Sequence, residues 1–134
     1  MSQEQVMLKK LVTDLPFFCQ NVLKIATKSG GIAQPLNLNK AQLYLHSRLE
    51  AQKKRTGKVR AIVLKGRQQG VSTYIGARFY HKTITTPGTL TFIFAHDASA
   101  SDSLYNMVQG YYDLSDETIR PVIGSRNHKE LLFP

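Results

Sequence analysis

Apolar residues in the N-terminal half recur at intervals typical of helices. Residues 4–15 carry them at near-helical spacing, which predicts a first helix. Pro16 suits the first turn of a second helix, which we expect to run to about residue 28, where Ser29-Gly-Gly31 would end it. Residues 33–38 are expected to be extended. Asn39 is the expected N-cap of a third helix that runs through roughly residue 54.

The pattern changes after residue 57 to short apolar runs between helical segments. Residues 59–64 and 90–95 are apolar on both faces, as in strands buried within a parallel sheet. Residues 72–81 and 99–112 are predicted helices, and residues 130–133 resemble the start of a further strand. Strand, helix, strand, helix is the order of an α/β fold with right-handed crossovers, and this is the fold class that the sequence predicts.

The loop between the first predicted strand and its helix has the composition of a phosphate-binding segment, Lys65-Gly-Arg-Gln-Gln-Gly-Val-Ser-Thr73. Gly66 and Gly70 let the backbone approach a phosphate closely, and free amides at a helix start attract anions. Ser72 stands where a hydroxyl ligates Mg²⁺ in G-x-x-x-x-G-K-[ST] loops. The usual lysine position is Val71, but a lysine at position 65 can curl back over the β- and γ-phosphates. The alternative is a glycine-containing connection whose basic residues face solvent.

Composition narrows the class of protein. The 134 residues amount to one domain or a piece of a larger one, and 42% of them are hydrophobic. The formal net charge of +9 favours a polyanionic partner, although a solvated basic face explains it too. No apolar run approaches the length of a membrane helix, and the N-terminus lacks the pattern of a secretory signal. The single cysteine, Cys19, excludes an internal disulfide and is expected to be buried.

The loop and the elements before it resemble the terminase large subunits of tailed bacteriophages, ATPases that pump DNA into proheads. The similarity rests on the loop, which resembles their deviant Walker A segment, and on the approach Pro35-Leu-Asn-Leu-Asn-Lys-Ala-Gln42. It covers most of the chain, from about Phe17 onward. It implies a partial P-loop NTPase (RecA-like, ASCE) parallel sheet, with a helical N-terminal region at 1–56 and the start of the ATPase core at 57–134. The Walker B carboxylates and the nuclease domain of that family are missing, so we expect a truncated ATPase domain.

The resemblance assigns roles to individual residues, with ATP and Mg²⁺ as cofactors. Lys65 would neutralise the β- and γ-phosphates, and Arg67 would contact the γ-phosphate. Gln42 would read the adenine edge, and Ser72 would hold Mg²⁺. The other expected nucleotide contacts are Gly66, Gln68, Gln69, Gly70, Val71 and Thr73. The alternatives are surface charge for the two basic residues, a helix-surface glutamine for position 42, and a local backbone bond for Ser72.

The acidic and histidine residues suggest no complete catalytic centre. Asp97 follows the second apolar run, and an N-cap or turn role is favoured for it over a Walker B role. The histidines are scattered without metal-ligand spacing and are expected to be structural or solvent-facing: His46, His81, His96 and His128.

The predicted function is therefore the ATP-binding portion of a DNA-packaging motor. The resemblance implies double-stranded DNA, the terminase small subunit and the portal protein as partners, a possible homo-oligomeric ring, no membrane, and the bacterial host cytoplasm as location. The resemblance implies an ATPase, but we expect residues 1–134 alone to have negligible turnover, because a carboxylate for Mg²⁺ and water is missing. The competing hypothesis is a non-catalytic prophage remnant, a basic α/β fragment that binds nucleic acid.

Overall fold

The computed structural model describes residues 2–26, 33–66, 69–117, 121–126 and 130–133. In these ranges the chain forms five helices and four short strands. The helices are α1 (Gln3–Thr13), α2 (Leu15–Asn21), α3 (Lys40–Thr56), α4 (Val71–Thr85) and α5 (Ala98–Asp113). The strands are β1 (Lys24–Ile25), β2 (Gln34–Pro35), β3 (Ser125–Arg126) and β4 (Leu131–Leu132).

The predicted parallel sheet is wrong. The strands in the described residues form two separate antiparallel pairs, β1 with β2 and β3 with β4. Residues 59–64 and 90–95 join neither pair. An apolar run becomes a buried strand only when neighbours accept its backbone hydrogen bonds, and no described segment does so here. The described chain is therefore mainly helical, not a partial RecA-like P-loop core, and only the strand predicted at 130–133 is present, as β4.

Local capping chemistry sets the helix boundaries. Asp14 ends α1 and caps α2, where its Oδ1 accepts from the Phe17 amide at 3.1 Å. The second helix is shorter than predicted, because the chain leaves it after Asn21 to form β1. Leu23 is fully buried there, and its carbonyl accepts from the Leu36 amide at 3.0 Å. The stop predicted at 29–31 lies outside the described residues.

Helix α3 begins and ends as its sequence indicates. Asn39 is confirmed as the N-cap, and a capping box joins it to Gln42. The helix continues to Thr56 and ends at Gly57, whose φ of 74° is the left-handed conformation that glycine adopts most readily.

The core lies between α4, α5 and α2. Its largest fully buried side chains are Tyr74, Tyr111, Leu23 and Cys19. The expected burial of Cys19 is confirmed, and burial raises the pKa of its thiol to about 12. In helix α4, Tyr74 and Tyr80 are buried in this core, whereas Phe79 is 45% exposed.

A polar network on Tyr74 joins α3 to α4. The Tyr74 hydroxyl lies 2.8 Å from His46 Nδ1 and accepts from Arg78 Nη1 at 3.2 Å. The same Arg78 nitrogen lies 2.7 Å from Glu50 Oε1. The Tyr74 hydroxyl thus bridges His46 on α3 and Arg78 on α4. The expected structural role of His46 is therefore confirmed.

We expect the stability of the chain to fall as pH drops below about 6.5. Burial lowers the pKa of both His46 and His81, and His81 Nε2 also bonds the Leu11 carbonyl at 2.8 Å. The unfolded chain then binds protons that the folded chain does not, so stability is fully present above pH 6.5 and is lost towards the lower folded pKa values. The slope is at most about 1.4 kcal/mol per pH unit for each histidine.

Urea unfolding between pH 5 and 8 measures this slope. His46→Gln should make the dependence shallower, because one of the two titrating groups is removed. A dependence unchanged in the double variant His46→Gln/His81→Gln would show that other groups cause it.

Candidate phosphate-binding loop

The segment 65–73 opens α4, and its last glycine sets the start of the helix. Gly70 is the N-cap with φ of 76°, and no side chain caps this end of α4. The absence of a cap refers to the described residues, which exclude 67 and 68. The first helical bond runs from the Tyr74 amide to the Gly70 carbonyl at 3.1 Å. The amides of residues 71–73 precede that bond and lie at the positive end of the helix dipole. Such amides are suited to bind an anion.

Gly70 is held by a residue from another helix. Gln42, in the first turn of α3, donates from Nε2 to the Gly70 carbonyl at 2.8 Å. A Cβ at position 70 would lie 2.6 Å from the same nitrogen. The left-handed backbone and this close approach both require glycine at this position.

The capping box of α3 therefore also supports the loop. Gln42 is 4% exposed, and its Oε1 accepts from the Asn39 amide at 2.8 Å. Asn39 Nδ2 in turn lies 3.4 Å from the Gln69 carbonyl. Gln42, which the resemblance places at the adenine edge, is thus directly against the loop, and its side-chain amide bonds backbone groups on both sides.

The start of the loop folds back on itself. Lys65 is exposed, and its Nζ donates to the Gly66 carbonyl at 3.3 Å. A Cβ at Gly66 would lie 3.3 Å from Gln69 Nε2, so the Gln69 side chain packs against the backbone of Gly66. The expected site residues Arg67 and Gln68 lie outside the described residues.

The first turn of α4 carries the remaining expected contacts. Ser72 is exposed, and with Val71 it lines a cavity of about 270 Å³ between α4, α5 and residues 92–94. The Thr73 carbonyl accepts from the Tyr111 hydroxyl at 2.8 Å, which ties this turn to α5. The carbonyl of Thr73 is consequently occupied by the protein, whereas the Ser72 side chain is exposed.

Asp97 caps a helix, as the sequence favours. Its Oδ1 accepts from the Ala100 amide at 2.8 Å, and its Oδ2 lies 3.0 Å from His96 Nε2. Within the described ranges, no three His, Cys, Asp or Glu residues converge on a metal position. The described residues therefore offer the Ser72 hydroxyl, but no carboxylate cluster, to a cation.

Two contacts of the loop have no signal in the sequence. Asn39 reaches Gln69 across 30 positions, and Tyr111 reaches Thr73 across 38. The local pattern at Asn39 indicates a helix cap and nothing more, because its second role depends on how α3 packs. Tyr111 fits the apolar stripe of α5, and its hydroxyl contact appears only in three dimensions.

Positive charge collects at the other end of α3. The last turn of the helix contains Lys53, Lys54 and Arg55, all exposed. Cations there complement the negative end of the helix dipole, and they also present positive potential to solvent. None of the described helices is long and apolar enough to cross a membrane.

Comparison of the chain with protein-family models, curated proteins and solved structures finds no match.

Proposed function

We propose that this chain is the ATP-binding portion of a terminase large subunit, the motor that packages double-stranded viral DNA. The observation that carries the proposal is the uncapped first turn of α4 behind Gly70, whose carbonyl Gln42 holds. Free amides at that turn and the ammonium of Lys65 at the loop start are suitable donors for a polyphosphate.

The proposed site divides the nucleotide among a few groups. The amides of residues 71–73 bind the phosphates, and Lys65 exchanges its single 3.3 Å contact with the Gly66 carbonyl for a phosphate oxygen. The Ser72 hydroxyl contributes one ligand to Mg²⁺, which ATP brings with it. ATP supplies the phosphoanhydride bond whose cleavage drives such motors. Arg67 remains the proposed contact to the γ-phosphate.

Adenine recognition by Gln42 remains part of the proposal. A primary amide has two N–H donors and two lone pairs, and one of each is used by the Gly70 carbonyl and the Asn39 amide. The other N–H and lone pair are the groups that would contact a base edge, and because Gln42 is 4% exposed, the base would have to displace the residues that cover it. Gln42 would then both support the phosphate site and read the base.

The wider assignment follows from the same resemblance. Double-stranded DNA is the proposed partner of the basic end of α3. In the complete motor, the proposed partners are the small terminase subunit and the portal protein, and the proposed assembly is a homo-oligomeric ring. The proposed location is the bacterial host cytoplasm. The proposal does not depend on a parallel sheet. The competing function is a non-catalytic remnant that binds nucleic acid through its basic residues alone.

Mg²⁺·ATP at 2 mM is expected to raise the melting temperature of the chain. With a dissociation constant of about 0.2 mM, ligand binding stabilises the folded state by about 1.4 kcal/mol, or roughly 3–6 °C. Lys65→Ala should abolish most of the shift. The matched control is Lys9→Ala, an exposed lysine on α1, which should leave the shift intact. Differential scanning fluorimetry with and without Mg²⁺ makes the measurement.

Two outcomes would reject the nucleotide site. One is the absence of any shift in the wild-type chain at 5 mM ATP, and the other is a full shift in Lys65→Ala. Either would leave the nucleic-acid-binding remnant as the better assignment. Phosphate release should be negligible for residues 1–134, because the described residues supply no carboxylate cluster beside Ser72.

A further inference from the structure

Residues 59–64 form an exposed apolar segment outside the loop. Ile62 and Leu64 are fully exposed, and Val59 and Val63 are about 38% and 40% exposed. The structure has no helix, turn or bend from residue 59 to residue 66. Within the described part of the chain, no hydrogen bond engages the backbone of residues 61–64. Four β-branched or aliphatic side chains and a run of backbone groups are thus open to solvent.

The backbone of Arg60, at the start of this segment, is already hydrogen-bonded on one edge by a side chain of α3. Gln52 of α3 donates from Nε2 to the Arg60 carbonyl and accepts from the Arg60 amide at its Oε1, both at 2.9 Å. This side-chain amide imitates the paired bonds that a neighbouring strand makes to one residue. In an extended chain, successive residues direct their N–H and C=O groups to alternate edges. When residues 60–65 extend as a strand, Ile62 shares the edge of Arg60, and Ala61 and Val63 belong to the opposite, open edge.

The charges around the segment indicate what can occupy that open edge. Lys58 and Arg60 precede the apolar residues, Lys65 follows them, and all are exposed. Opposite charges across paired strands stabilise the pairing, and like charges destabilise it. The complementary strand is consequently apolar over four positions and acidic at each end. A second copy fits poorly, because antiparallel pairing of two such segments would set Lys58 against Lys65.

We propose that residues 60–65 add a strand from a partner protein, namely an extended segment with acidic residues flanking four apolar ones. Main-chain bonds to Ala61 and Val63 would provide the affinity, and Arg60 and Lys65 would select for the acidic ends. Nucleic acid is the other candidate for a basic surface, but its phosphates leave the apolar side chains of Ile62 and Leu64 without a partner. The segment shares Lys65 with the loop but does not include the amides of α4, and the proposal stands without ATP binding.

The test uses the whole chain and two capped peptides. The first peptide is Glu-Val-Val-Ile-Val-Glu, which pairs antiparallel with residues 60–65, and the second replaces both Glu residues by Lys. The acidic peptide should bind with a dissociation constant of about 100 μM by calorimetry or fluorescence anisotropy. The basic peptide should bind at least about tenfold more weakly, since it opposes like charges. Equal binding of the two peptides would overturn the charge selection and with it the proposed partner.

Two proline variants test the open edge. Val63→Pro removes a donor from that edge and should weaken the acidic peptide about tenfold. Val59→Pro removes a donor outside residues 60–65 and is the matched control, with an expected loss of less than about threefold. Both positions are exposed, and far-UV circular dichroism verifies that each variant folds. Equal losses in the two variants would show that strand addition at this edge is wrong.

Hydrogen exchange gives an answer that does not depend on substitutions. Bound acidic peptide should slow exchange of the Ala61 and Val63 amides and leave the amides of α1 unchanged. Binding without that protection would overturn the proposal. A chain that ignores the acidic peptide but binds a 20-base-pair DNA duplex, equally well in wild type and Val63→Pro, would assign the surface to nucleic acid instead.

Discussion

Tyr74→Ala is expected to destabilise the chain by about 3–5 kcal/mol, because Tyr74 is fully buried and its ring fills the core beside α2 and α5. The substitution also removes the hydroxyl that joins His46 to Arg78. That loss is a large part of the roughly 5–15 kcal/mol that stabilises a typical domain. The melting temperature should fall by about 10–20 °C, measured by circular dichroism together with urea unfolding.

Two further variants separate the ring from its hydroxyl. Tyr74→Phe keeps the ring and leaves His46 Nδ1 without its hydroxyl partner, so the expected cost is about 1–3 kcal/mol. Phe79→Ala removes an aromatic ring from the exposed face of the same helix, and its cost should stay below about 1.5 kcal/mol, since a half-exposed ring buries little area. A cost for Phe79→Ala equal to that for Tyr74→Ala would contradict the packing of α4.

Gln42→Ala is expected to destabilise the chain by about 2 kcal/mol even without nucleotide. The change removes the bond to the Gly70 carbonyl and leaves the Asn39 amide without its side-chain acceptor in a nearly buried place. It should also reduce stabilisation by ATP, because the start of α4 loses its support. Melting temperatures of the variant alone and with ATP, GTP or inorganic triphosphate measure both effects.

The triphosphate measurement distinguishes the two roles proposed for Gln42. If the side chain supports the loop, the variant should lose stabilisation by ATP, GTP and triphosphate alike. If it only reads adenine, the unliganded melting temperature should be unchanged and the preference for ATP over GTP should disappear. Gln42→Glu is the matched control, since it keeps an acceptor for Asn39 but sets a carboxylate against the Gly70 carbonyl, so it should also lower the unliganded melting temperature.

Helices with local signals were predictable from the sequence. The cap at Asn39, the left-handed end at Gly57 and the periodicity over 99–112 each lie within a few residues of the structure that they determine. Such signals depend on neighbours in sequence, so α3 and α5 lie within two residues of their predicted limits, whereas α4 continues four residues beyond its predicted end at 81. The second helix was predicted too long because its end depends on Leu23 entering the core.

The sheet was not predictable in the same way. Residues 59–64 and 90–95 have the composition of buried strands, yet Phe92 and Phe94 are exposed, as are Ile62 and Leu64. The composition of a segment indicates its tendency to form a strand. Whether that strand pairs with another depends on segments that are far away in the chain. The loop is an intermediate case. The role of its glycines and the start of its helix were predicted. The hydrogen bonds from Asn39 to Gln69 and from Tyr111 to Thr73 were not, because they depend on packing between residues more than 25 positions apart.

The two supports on the start of α4 have a consequence for the thermodynamics of binding. Gln42 anchors Gly70 from α3, and Tyr111 anchors Thr73 from α5, so this turn is preorganised before any ligand arrives. Binding of an anion there costs little conformational entropy of the protein backbone. The favourable enthalpy of the new hydrogen bonds is therefore offset less, and the affinity should be higher. Calorimetric entropies of triphosphate binding should therefore be more unfavourable in Tyr111→Phe, where the turn must be ordered by the ligand itself.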